Sequence, residues 1–191
     1  MRPWLKRTRM VLIGVVVILF VWPVILLFAG SVAVAVVASF VFDFCRKRRA
    51  VQRFRRSWGT QSKDLLLVYS NSPNWQRYVE ENWLPRWGHR AVTLNWSERN
   101  EWGKRGAPEV ALFRAFAGCK EFNPLGIVVP PAGSRVYVVR FLRAFRDYKH
   151  GNDRRLWEAE GELEHYLQKA ASNTRPPRPS GAGRGIDSHE R

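Results

Sequence analysis

Leu65-Leu66-Leu67-Val68-Tyr69-Ser70-Asn71-Ser72-Pro73-Asn74-Trp75 is an apolar run that stops abruptly in small polar residues and a proline. The run is short and does not alternate, so it reads as a strand covered on both faces. Ser72 suits a helix N-cap, and Pro73 suits the first helical position. Trp75, Tyr78, Val79 and Trp83 then recur at helical spacing until Pro85 to Gly88. A buried strand leading through a short polar loop into a helix predicts an α/β layer architecture.

The same punctuation continues downstream. Ala91–Asn95 reads as a second strand, and a polar loop follows from Trp96 to Ala107. Pro108 and Glu109 open a helix with Val110, Phe113 and Ala117 on one face, ended by Gly118. Leu125–Val129 is a third strand and Arg135–Arg140 a fourth, joined by Pro130-Pro131-Ala132-Gly133. So short a link predicts an antiparallel hairpin. Leu142–Lys149 is a helix closed near Gly151, and a last helix spans about Asp153 to Ala171. Its stripe of Leu156, Leu163, Tyr166, Leu167 and Ala170 could dock on the domain or pair with a second copy, and docking is favoured. The order is βαβαββα plus a terminal helix, giving one α/β domain over residues 63–171. Residues 172–191 are rich in Pro, Gly, Ser and Arg, a composition expected of a disordered tail.

Upstream lies a different kind of sequence. Met10 to Phe44 spans 35 residues with a single ionisable group, Asp43. A membrane crossing needs about 20 apolar residues. As one helix the run would be roughly 52 Å long, well beyond the ~30 Å hydrocarbon core. A transmembrane helical hairpin is therefore expected, with arms 10–28 and 32–44 and Ala29-Gly30-Ser31 as its turn. A single span is the alternative. A cleaved signal peptide, with Ala33-Val34-Ala35 mimicking its site, fits less well because the apolar run is too long. Pro23 reads as a kink.

The formal charge of +16 is concentrated beside this run. The basic N-terminal flank, residues 1–9, carries +4, and residues 46–56 carry +7. The rest of the domain is only mildly basic, so the charge points to anionic lipid head groups rather than nucleic acid. Residues 45–62 read as a polybasic juxtamembrane linker. Its Arg46, Lys47, Arg48, Arg49, Arg53, Arg55 and Arg56 are the candidate membrane-surface residues. Basic residues are retained on the cytoplasmic side, and the C-terminal cluster is the stronger. The expected location is an inner or plasma membrane with the α/β domain cytoplasmic.

The element order resembles the thioredoxin-like fold over roughly residues 63–150. Ser70-Asn71-Ser72-Pro73-Asn74-Trp75 stands where that family carries its active-site turn, and Asn123-Pro124-Leu125 where it keeps a cis-proline facing that turn. The resemblance implies a ligand or active-site edge at these loops. The redox members need a C-x-x-C dithiol there, and this loop has no cysteine. Cys45 and Cys119 are far apart in sequence and fit two free thiols. Dithiol oxidoreductase activity is therefore not expected. Glutathione-transferase-like members use a hydroxyl near the first helix, a part open to Ser70 or Ser72. Arg140-Phe141-Leu142 departs from the acidic-Ser pair those members tend to carry after the fourth strand.

Candidate ligand-binding residues are Ser70, Asn71, Ser72 and Asn74 in the first loop and Asn95, Ser97, Glu98 and Arg99 in the second, with Pro124 beside them. Parallel first and second strands would put both loops at one sheet edge, where ligand crevices form. Plain capping by Ser72 and Ser97 is the competing and favoured reading. Trp96 and Trp102, in the loop, could rest on a lipid interface. Glu162 and His165 have a di-metal spacing but lack the second copy it needs, so no metal site and no cofactor are expected. The resulting expectation is a membrane-anchored, redox-inactive interaction or ligand-binding module, with an unknown protein partner open. A transferase-like enzyme for a membrane-associated or anionic small molecule, or a structural membrane protein, are the alternatives.

Overall fold

The computed structural model describes residues 3–102, 106–118, 123–133 and 135–172. Cys119 and the tail from residue 173 lie outside them. The chain divides into two compact units, Met1–Arg46 and Lys47–Arg191.

The first unit is helical. Helix α1 runs from Pro3 to Trp58 without a break and includes Pro23. The expected hairpin turn at Ala29-Gly30-Ser31 is not formed. All three residues are helical, and the Ser31 hydroxyl donates back to the Phe28 carbonyl at 2.7 Å. A lone glycine costs a helix only about 1 kcal/mol, so one Gly between long apolar runs does not break it. Met10, Phe20, Leu27, Phe40 and Phe42 are all largely exposed. This one helix is long and apolar enough to cross a membrane.

The second unit is a mixed α/β domain around a four-stranded sheet ordered β2-β1-β3-β4. The strands are β1 Leu65–Tyr69, β2 Ala91–Asn95, β3 Leu125–Val128 and β4 Tyr137–Arg140. β1 and β2 run parallel, with Tyr69 opposite Asn95. β3 pairs antiparallel with β1 and with β4, so the expected hairpin is present.

The unalternating sequence of β1 follows from cover on both faces. Leu65 and Leu67 point into one apolar cluster with Trp83, Phe141, Phe145 and Leu163. Leu66 and Val68 point into another with Val51, Phe54, Leu112 and Phe113. The first cluster's helices are α2 (Gln76–Tyr78 continued by Val79–Trp83 and Leu84–Trp87), α4 (Leu142–Lys149) and α5 (Arg154–Ser172), and the second's are α3 (Pro108–Phe116) and the end of α1. α5 docks through Leu156, Leu163, Leu167 and Ala170, none more than 2% exposed. Gly126 permits that approach, because a Cβ there would stand 3.1 Å from the Leu163 Cδ1.

The stretch read as a linker is instead structural. α1 continues to Trp58, and Ala50, Val51 and Phe54 are buried, Phe54 completely. The apolar set Val51, Phe54 and Trp58, at i, i+3 and i+7, is hidden among arginines. Arg48, Arg49, Arg53 and Arg56 are exposed on the remaining face. Arg55 is half-buried and donates to the Gly133 carbonyl at 2.6 Å, and burial lowers its pKa.

α2 is composite: Gln76–Tyr78, a π-helical turn at Val79–Trp83, then Leu84–Trp87. Pro85 has no N–H, so the ladder cannot run through it regularly. The Leu84 N–H donates to the Val79 carbonyl, and the Asn82 side chain takes the Tyr78 carbonyl at 3.0 Å. The wide turn carries Trp83, 1% exposed, into the core. There its Nε1 donates to Glu160 of α5 at 2.7 Å, and the Tyr78 hydroxyl donates to the same carboxylate oxygen at 2.9 Å.

Candidate functional site

Parallel pairing of β1 with β2 sets their C-terminal ends side by side, so the Ser70–Asn74 and Asn95–Arg99 loops meet. Their polar groups bond chiefly to one another. The Asn71 N–H donates to the Ser97 hydroxyl at 3.0 Å. The Asn95 side-chain amide donates to Asn71 Oδ1 at 2.9 Å and to Glu98 Oε1 at 3.0 Å. Its oxygen accepts from the Ser97 N–H at 3.0 Å, so Asn95, not Ser97, caps the short 3₁₀ turn Trp96–Glu98.

The first loop is closed in the same way. Ser70, 7% exposed, accepts from Trp75 Nε1 at 3.2 Å. Ser72 accepts from the Asn74 N–H at 3.4 Å, and its carbonyl receives the Gln76 N–H at 2.9 Å. Ser72 thus shapes a turn ahead of α2, which begins at Gln76 rather than at Pro73. Tyr69, at the end of β1, has its phenol pushed above the ordinary value by burial and then by the carboxylates of Glu80 and Glu98. It stays a protonated donor at neutral pH.

Where the crevice between the two loops was expected, these hydrogen bonds join the loops. Two cavities flank the network, each lined by one loop only. One of about 140 Å³ is bounded by Asn95, Glu98, Glu101, Trp102 and Glu109. The other, about 380 Å³, is bounded by Asn74 and Trp75 together with α4. Arg99 lies outside both, with its guanidinium 5.4 Å from the Trp96 ring centroid. Pro124 follows a cis peptide bond immediately before β3.

Trp96 and Trp102 are not an exposed pair. Their rings lie 5.3 Å apart, and both pack on Phe113. Trp102 is 8% exposed, so the loop supplies core rather than a membrane contact. Among the described residues no cluster of His, Cys, Asp and Glu could hold a metal ion.

Sequence reasoning overlooked the α4 side of the larger cavity: Leu142, Phe145, Arg146, Lys149 and His150. Arg146 and Lys149 stand at i, i+3 on one helix edge, a legible signal. What sequence could not supply was Trp75, from another element, opposite them. No family model matches this chain, and neither the search of curated proteins nor that of solved structures finds a match.

Proposed function

We propose that this chain is a membrane-anchored module whose thioredoxin-like α/β domain lies on the cytoplasmic side and binds a ligand or partner without dithiol chemistry. One observation carries the reading. The loop between β1 and α2 offers hydroxyls and amides but no thiol, and Asn71 ties it to the second loop. Supporting it are the βαβαββα order within one sheet and the proline ahead of β3. The apolar helix supplies the anchor. The exposed arginines of the last turns of α1 form a basic face suited to anionic head groups.

With one helix in place of a hairpin, the positive-inside rule weighs seven basic residues after the apolar run against four before it. The C-terminal domain stays cytoplasmic and the N-terminal flank crosses. Impermeant labelling of tags at the two ends in intact cells tests this. The N-terminal tag should react and the Arg191 tag should not. Two protected tags would restore the hairpin, and a reactive Arg191 tag would refute the cytoplasmic reading. Full-length protein in detergent should show no turnover in a disulfide-reduction assay. Turnover abolished by Cys119→Ser would overturn the redox-inactive reading.

A further inference from the structure

The larger cavity beside the first loop has an unusual division of chemistry. Its floor is apolar and aromatic: Trp75, Leu142 and Phe145. The Trp75 and Phe145 rings are tilted at 50° with centroids 6.2 Å apart, and Phe145 is 1% exposed. The bond from Trp75 Nε1 to Ser70 fixes that ring, so the floor is held before any ligand arrives. Its rim is one-sided in charge. Arg146, Lys149 and His150 line it, and among the described residues no carboxylate does. All three rim residues are exposed, and among the described residues none has a side-chain partner. The one carboxylate of α4, Asp147, is turned to Arg155 at 2.7 Å. Asn74, on the opposite lip, adds a neutral amide.

An apolar floor under an unpaired cationic rim matches a molecule with a hydrocarbon body and an anionic head. The volume of about 380 Å³ lies within the ~300–1,000 Å³ typical of small-molecule sites. It suits one short chain rather than the paired chains of a bilayer lipid. We infer that this groove binds a single-chain anionic amphiphile, with its tail over Trp75, Leu142 and Phe145 and its head against Arg146, Lys149 and His150. The inference rests on the ligand-binding part of the proposed function and names the ligand's chemistry. It needs neither the anchor nor the topology. A cationic rim also gains more from a charged head than from a neutral one, because charge-assisted hydrogen bonds are the stronger kind.

The test uses the full chain in discs of zwitterionic lipid and an octyl phosphate carrying a diazirine on its tail. Photolysis followed by peptide mapping should place the label on residues 74–75 and 142–150. Excess octyl phosphate should compete, while octanol and inorganic phosphate should not. Arg146→Glu with Lys149→Glu, both on the surface, should lower capture by roughly tenfold or more. Leu142→Trp, filling the floor, should abolish it while the far-ultraviolet spectrum is kept. Label confined to residues 10–44, or capture competed equally by octanol, would overturn the inference. So would capture indifferent to the rim reversal. The tag-labelling experiment stands apart: a failed topology leaves the groove result intact, and a failed groove leaves the anchor.

Discussion

Phe54→Ala separates a helix end that belongs to the domain from a solvated linker. Phe54 is fully buried, in one cluster with Val51, Leu66, Val68 and Ile127. An aromatic side chain buries ~150–250 Å². At about 25 cal/mol per Å² that is roughly 4–6 kcal/mol gross, of which alanine keeps a part. Measured truncations of this kind cost about 3–5 kcal/mol, cavity included. For a domain of this size the cost lowers the melting temperature by on the order of 10–20 °C. Phe54→Leu should cost only about 1 kcal/mol, and Arg53→Ala, on the exposed face, should stay within about 0.5 kcal/mol. The assay is urea unfolding of the full chain in detergent, followed by tryptophan emission. Trp83, Trp87 and Trp102 are at most 8% exposed and report domain unfolding, whereas Trp22 of the apolar helix is exposed and serves as an internal reference. If Phe54→Ala proves as mild as Arg53→Ala, α1 does not belong to the domain core, and the linker reading returns.

Glu160 accepts from both Trp83 and Tyr78, so Glu160→Ala should cost about 2–3 kcal/mol by orphaning the buried Trp83 donor and the half-buried Tyr78 hydroxyl. Glu160→Gln keeps an acceptor oxygen and should recover much of that loss; equal urea midpoints for the two variants would refute the account. The Tyr78 phenol is pushed well above its ordinary value, first by burial and then by its bond to Glu160. The unfolded chain therefore loses this proton near pH ~10 while the folded one retains it. The stability it contributes is present below that pH and declines as pH rises beyond it. Urea midpoints measured upward from pH 9 should fall less steeply in Tyr78→Phe, and identical slopes would exclude Tyr78 as the linked group. Asn95→Ala removes three hydrogen bonds, one to Asn71 across the loops and two within its own loop, and should cost about 1–2 kcal/mol. Amide exchange should then speed up at Asn71 and Ser97, and unchanged protection there would mean the network does not hold the loops.

Much of the domain was legible because local signals were consistent with one another. Leu65–Tyr69 and Ala91–Asn95 appear with the residue limits their apolar runs suggest, as does helix Leu142–Lys149. Three features depended on long-range partners. Arginines masked Val51 and Phe54, because a two-residue apolar signal looks minor until a sheet covers it. The tryptophans of a polar loop looked interfacial until Phe113 was placed beneath them. The two candidate loops did meet, but sequence could not reveal that Asn95, Asn71 and Ser97 would satisfy one another.

The chain alone determined what depends on composition and short spacing. That covers an apolar segment fit to cross a membrane, basic flanks, the strands and the antiparallel sense of the β3–β4 hairpin, and a thiol-free loop at the first strand's end. The helix through 29–31 is a local matter too, met by no other surface among the described residues: nothing in Ala-Gly-Ser compels a turn when the apolar residues on either side favour continuation. The tertiary structure decided what depends on which surfaces meet. It drew the end of α1 into the core, since burying Phe54 outweighs the local polarity around it. It also closed one polar edge and left beside it an apolar groove with a cationic rim, because Trp75 and α4 come from segments more than sixty residues apart.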